Sequence, residues 1–293
     1  MIPAFLNAEA ERQLGEHTRQ HCSITGCTPV SGGCINSCYR LETTAGKYFL
    51  KFNDAGKYPG MFRVEAFGLQ MLRKANAIPV PGVIHCGEIN GLSFLILDWI
   101  ESGKRTGKFW AEFGRGLARL HSSSSDNFGL PENNYIGSLP QSNFQRPGWI
   151  EFFIQERLEP QVRLAANRGA LSGPTVKMFI KLFGRLGELI PAEKPALLHG
   201  DLWNGNFLVN QAGSASLIDP AVYFGHREMD LAMTKLFGGF DGDFYAAYQE
   251  TFPLQKGFQT RVEIHNLYPL LVHVNLFGGG YVQQVRSVLE RFV

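Results

Sequence analysis

Cysteine is scarce in this chain of 293 residues: five in all, Cys22, Cys27, Cys34, Cys38 and Cys86. An odd and small number argues against a disulfide framework and for reduced thiols. The first four cluster, yet no two have the two-residue spacing of a structural zinc knuckle. Long apolar runs are missing too. Phe94-Leu95-Ile96-Leu97 stops at Asp98, far short of the roughly 18 residues that span a bilayer. Excess charge is also absent, the formal net charge being +2, which offers no basic face for nucleic acid or a membrane surface. Glu9, Glu11 and Arg12 interrupt the opening residues, unlike a secretion signal. There is no internal repeat and no low-complexity segment. What is there, 44% hydrophobic and 18% charged residues, describes a folded globular protein. The expectation is a soluble, cytoplasmic protein with no nucleic-acid or membrane partner.

Texture changes along the chain give an α+β organisation. A leading helix is predicted over Ala8 to Gln20. Strands follow around Thr28 to Val30, Cys38 to Thr43 and Lys47 to Asn53, separated by small-residue turns. A helix over Met61 to Asn76 carries Val64, Phe67, Gly68, Met71 and Leu72 at helical spacing. Pro79 and Pro81 end it. Val83 to Gly87 and Ser93 to Ile100 complete a five-stranded antiparallel sheet. Helices dominate after Phe109: Phe109 to His121, Trp149 to Asn167, Pro174 to Ile190, Asp230 to Phe237, Phe244 to Glu250 and Arg261 to Phe277. The predicted lobes are residues 1–100, rich in strands, and 101–293, mainly helical.

The chemistry concentrates in Leu197-Leu198-His199-Gly200-Asp201-Leu202-Trp203-Asn204-Gly205-Asn206-Phe207-Leu208-Val209, followed by Leu217-Ile218-Asp219. Apolar runs flank a polar turn that carries Asp201 and Asn206, and Asp219 ends the next apolar run. An acid, an amide and a second acid in this order fit a phosphoryl-transfer site: a base for a hydroxyl and two oxygen ligands for magnesium. Seen singly, Asp201 is a turn residue; the coincidence of the three favours catalysis. His199 reads as a packed residue that orients the loop.

Upstream, Lys51 lies in the third predicted strand and Glu65 in the first turns of the helix after it. Kinases use a strand lysine on the nucleotide phosphates, paired with a helix glutamate. Lys51 as a solvated edge residue is the plainer reading, and the strand register is open. Gly32 and Gly33 suit backbone amides approaching phosphate, or simply a hairpin turn.

Gly32-Gly33-Cys34-Ile35-Asn36, Phe49-Leu50-Lys51-Phe52-Asn53, His199-Gly200-Asp201-Leu202-Trp203 and Ile218-Asp219-Pro220-Ala221 together resemble the fructosamine (ketosamine) kinase family. Tyr223 to Glu228 and Phe237 to Phe240 extend the resemblance, which runs from about residue 22 to the end. The family is related to the aminoglycoside and choline kinases and has a protein-kinase-like two-lobed fold. The resemblance implies ATP and Mg²⁺ as cofactors and phosphorylation of the 3-hydroxyl of a small-molecule or protein-bound ketosamine, which promotes deglycation. By position, it implies that Asp201 is the base, that Asn206 and Asp219 hold the metal, that Lys51 and Glu65 form the phosphate-lysine pair and that Asp98, Trp99 and Ile100 form the adenine hinge. Trp203 is a candidate wall for the sugar, with core packing as its other reading. His273 and Asn275 are weaker substrate candidates. Asn204 departs from the family, where glycine is frequent, and Gly200 stands where protein kinases have arginine. Cys34, in the phosphate loop, is either an oxidisable thiol or a bystander. The rivals are a kinase for another hydroxylated amine, of aminoglycoside or choline type, and a non-catalytic nucleotide-binding protein.

Overall fold

The computed structural model describes residues 1–31 and 35–293. Its first strands are β1 (Ile24–Pro29), β2 (Ser37–Thr43), β3 (Gly46–Asp54), β4 (Val83–Ile89) and β5 (Leu92–Asp98). They form one antiparallel sheet in the order β1-β2-β3-β5-β4. Successive strand side chains face opposite sides, so β3 divides its residues between two cores. Tyr48, Leu50 and Phe52 join Leu6, Ala10 and Leu14 of α1 (Ala4–Thr18) on one face. On the other, Leu95 and Leu97 meet Phe62, Ala66 and Leu69 of α2 (Met61–Ala75), with Phe49 against them. Lys51 pairs in register with Cys38 and Leu95 and therefore belongs to the α2 face. Helix α1 starts at Ala4, earlier than predicted, because Leu6 packs into the same core as Leu14.

The chain divides into two compact units, Met1–Phe109 with Phe207–Asp219, and Trp110–Asn206 with Pro220–Val293. The later strands are short two-stranded pairs: β6 (Asn134–Ile136) with β7 (Leu139–Gln141), β8 (Ala196–Leu198) with β11 (Tyr223–Gly225), and β9 (Phe207–Val209) with β10 (Ala215–Leu217). The β9–β10 hairpin belongs to the sheet-bearing unit. Helix α3 (Phe109–His121) keeps its predicted bounds.

The helix predicted over Trp149 to Asn167 is interrupted. It runs as α4 (Trp149–Phe152), a π-helical segment over Phe153–Leu158 and α5 (Glu159–Asn167). Pro160 cannot donate to the Glu156 carbonyl, and the Arg157 guanidinium takes that place at 3.0 Å. Arg157 is fully buried, donates to Asn143 Oδ1 at 2.7 Å and lies 3.9 Å from the Tyr223 ring centroid. Likewise Pro174 to Ile190 separates into α6 (Gly173–Phe183) and α7 (Leu186–Leu189) around Gly184. The chain continues through α8 (Glu228–Leu236), α9 (Gly242–Thr251) and α10 (Phe258–Phe277). A final helix, α11 (Tyr281–Phe292), was not anticipated; Val285, Val288, Leu289 and Phe292 give it one buried stripe. Among the described residues no helix is long and apolar enough to cross a membrane.

Candidate active site

The polar turn after β8 is built from backbone constraints. Gly200 has φ 83°, and a Cβ there would lie 2.0 Å from the Ala221 carbonyl oxygen. Glycine suits this position because neither the backbone conformation nor the space favours a side chain. The Ala221 N–H donates to the His199 carbonyl at 2.9 Å. His199 is fully buried, and its Nδ1 accepts from the Asp201 N–H at 3.2 Å, consistent with an orienting role. Asn206 donates its amide both to the Asp201 carbonyl and to Asp201 Oδ2, each at 2.8 Å. Both amide hydrogens are thereby taken up by Asp201, which leaves the Asn206 oxygen as the end suited to a cation.

Sequence reasoning missed the group that fixes this turn. Asp230, predicted as the first residue of a helix, is instead inside α8 and 1% exposed. Its carboxylate accepts from the His199 N–H at 2.7 Å and the Gly200 N–H at 2.9 Å. His121 Nε2 lies 3.2 Å from the same carboxylate, and His121 Nδ1 lies 2.9 Å from the Tyr248 hydroxyl. A second set of buried amides holds the segment after Asp219: Asn134 donates to the Val222 carbonyl at 2.8 Å and Gln141 to that of Ala221 at 3.3 Å. Tyr268 donates to Gln141 at 2.6 Å. The one signal for Asp230 was a carboxylate set among Met229, Leu231, Ala232 and Met233.

Burial pushes the Asp230 carboxyl up, but the His121 contacts and the Gly200 N–H outweigh it and hold the group below its ordinary value. Asp230 therefore stabilises the fold above the pH at which the unfolded carboxyl titrates, and that contribution is lost as pH falls through the lower folded value. Asp230→Asn is expected to cost about 3 kcal/mol at neutral pH, since it weakens buried, charge-assisted hydrogen bonds. Urea unfolding should show the gap from wild type shrinking below about pH 4.

Within the sheet-bearing unit, Lys51, Glu65 and Asp219 form a charged group of their own. Lys51 is 3% exposed, with Nζ 2.5 Å from Glu65 Oε1 and 2.7 Å from Asp219 Oδ1. Burial opposes its charge, yet the Asp219 and Glu65 carboxylates prevail and raise its pKa. Glu65 is pushed up to about 7, by burial first, with Lys51 working against that shift. Asp219 follows β10, whose Leu217 N–H donates to the Pro79 carbonyl at 2.9 Å. Its φ of 50° is unusual for a residue with a side chain, and such strain clusters at functional positions. The Asp219 carboxylate and the Asn206 amide oxygen are each a hard donor of the kind magnesium takes.

The remaining candidates are distributed as follows. Asp98 donates its N–H to the Gly82 carbonyl at 2.9 Å and accepts the Gly82 N–H at 3.1 Å; Trp99 and Ile100 follow it, both half-buried. Gly32, Gly33 and Cys34 lie outside the described residues. Cys38, in β2, has its thiol pushed up to about 11 by burial. Trp203 is 37% exposed. Asn275 is buried and donates to Gln161 Oε1 at 2.8 Å and the Gln161 carbonyl at 3.0 Å. Among the described residues one histidine–acid group is compact enough for a metal: His226, Glu228 and His265, all buried. Arg261 already occupies the cation's place, its guanidinium 2.8 and 2.6 Å from the two Glu228 oxygens.

A model of the fructosamine kinase family matches residues 6–293. A relative named probable ketoamine kinase, from Synechocystis, is 42% identical over 96% of this chain and 94% of its own length. A protein-ribulosamine 3-kinase of Oryza sativa subsp. indica, named as chloroplastic, is 39% identical over 100% of this chain and 86% of its own length. A crystal structure described as a candidate fructosamine-3-kinase of Haemophilus somnus superimposes with a TM-score of 0.89 at 28% identity, covering 98% of this chain and 99% of that one.

Proposed function

The chain belongs to the fructosamine kinase family, and on that premise we propose that it is an ATP-dependent phosphotransferase acting on the 3-hydroxyl of ketosamines of the fructosamine or ribulosamine type. The observation that carries the reading is the family match together with Lys51, Asp201, Asn206 and Asp219 all being present. Asp201 accepts the proton of the acceptor hydroxyl as its oxygen forms a bond to the γ-phosphorus. The bond from phosphorus to the bridging oxygen breaks, and ADP leaves. Asn206 keeps the Asp201 carboxylate oriented through its amide. The oxygens of Asn206 and Asp219 would hold Mg²⁺, which would offset phosphate charge. Lys51, held by Glu65, meets the nucleotide phosphates in exchange for Asp219. Gly32 and Gly33 supply phosphate-binding amides, and Asp98 to Ile100 supply the adenine hinge. Trp203 and His273 face the acceptor, and phosphorylation makes the adduct labile, which promotes deglycation. The described cysteines are free thiols, which suits a cytoplasmic location.

ADP release should be measured with fructosamine, ribulosamine and erythrulosamine acceptors beside choline and an aminoglycoside. Turnover is expected with the ketosamines. Activity confined to choline or the aminoglycoside would sink the acceptor assignment, and no activity with any would favour a non-catalytic nucleotide-binding protein.

A further inference from the structure

Trp203, two residues past Asp201, meets Phe237 edge-on at 6.1 Å between ring centroids. Phe237 lies 4.7 Å from His273, which lies 5.4 Å from Phe277 and 5.0 Å from Tyr281. Trp203 is 37% and Phe277 60% exposed. His273 Nδ1 is 2.7 Å from the Pro269 carbonyl, so it donates there and fixes its ring on α10. These rings form an aromatic ledge from the catalytic turn to the start of α11, longer than one sugar ring. Aromatic faces exposed in this way suit the carbon-rich part of a ligand.

One hydrogen bond ties the catalytic turn to this ledge. Asn204 Nδ2 donates to the Gly238 carbonyl at 3.0 Å. Gly238 has φ 96°, a conformation that favours glycine, and this turn brings its carbonyl to Asn204. The two contacts are adjacent in sequence on both sides: Trp203 on Phe237, then Asn204 on Gly238. Ring contact and hydrogen bond therefore reinforce one another.

We propose that Asn204 is a positioning residue for the acceptor: it latches the catalytic turn to Gly238 and so sets Trp203 and Phe237 as the wall on which the carbon chain of the ketosamine's amine packs. The proposal deepens, and rests on, the phosphotransferase reading above. A surface turn closed by an incidental hydrogen bond would leave acceptor recognition untouched.

The test compares wild type with Asn204→Gly and Asn204→Asp, the latter placing a carboxylate oxygen against the Gly238 carbonyl. Acceptors should share a fructose unit and differ in amine, glycine against Nα-acetyl-lysine. In both variants the KM for the lysine adduct is expected to rise about three- to tenfold, the range one hydrogen bond supplies, with a smaller rise for the glycine adduct and the KM for ATP unchanged. Acrylamide should quench the tryptophan fluorescence of the ligand-free variants more strongly, because Trp203 is released. Equal acceptor KM in wild type and both variants, with ketosamines turned over, would overturn the latch, as would unchanged quenching. If wild type turns over no ketosamine, the acceptor reading falls and takes the proposal with it, a result distinct from a failed latch.

Discussion

Asp201→Asn is expected to lower turnover by roughly 10²- to 10⁴-fold, the usual contribution of a positioned base. The substitution keeps the shape of the side chain, and an amide oxygen can still accept from Asn206, as Oδ2 now does at 2.8 Å. The surrounding backbone bonds, from His199 and Gly200 to Asp230 and from Ala221 to His199, do not involve the side chain that changes. The thermal midpoint and the KM for ATP should therefore stay near wild type while kcat falls. Steady-state ADP release, read beside a thermal melt, separates the two effects. Unchanged turnover in a folded Asp201→Asn protein would remove Asp201 as the base.

Lys51→Met is expected to lower kcat/KM for ATP by about 10²- to 10³-fold, the scale of losing one preorganised charge at a transferring phosphoryl group. Its effect on stability has a pH signature. With the ammonium gone, Glu65 and Asp219 lose the cation that lies within 2.7 Å of both. The Glu65 carboxyl, already pushed up to about 7 by burial, then moves higher. A carboxyl whose folded pKa exceeds its unfolded value binds more protons folded than unfolded between the two, so stability falls as pH rises through that window. Urea unfolding should show the variant close to wild type at pH 5 and progressively weaker above pH 7. A deficit independent of pH would mean that Glu65 does not carry the strain of the missing charge.

Each of these residues was legible in the sequence for a local reason. Asp201 and Asn206 share one turn, so their spacing survives any arrangement of the rest of the chain. Glu65 falls in the opening turns of a helix whose apolar period is plain. Lys51 stood out as a lysine within an apolar strand, but a strand lysine has two faces open to it. Only the pairing with Cys38 and Leu95 put it on the side of α2 and buried it. The interrupted helix at Phe153–Leu158 was not legible, because its cause is partly tertiary: Arg157 is drawn to Asn143 and Tyr223, residues supplied by β7's outgoing loop and β11.

The sequence by itself determined the chemical inventory, the five-stranded sheet and the family, all of which depend on side-chain type and short-range period. Tertiary structure decided what holds the inventory in place. Asp230 is about thirty residues from the backbone it grips, and His121 and Tyr248 come from two other helices. No local pattern encodes such a group, because burying a carboxylate is unfavourable until its distant donors arrive together. The same holds for Asn204, an ordinary turn residue until folding brings the Gly238 carbonyl within 3.0 Å.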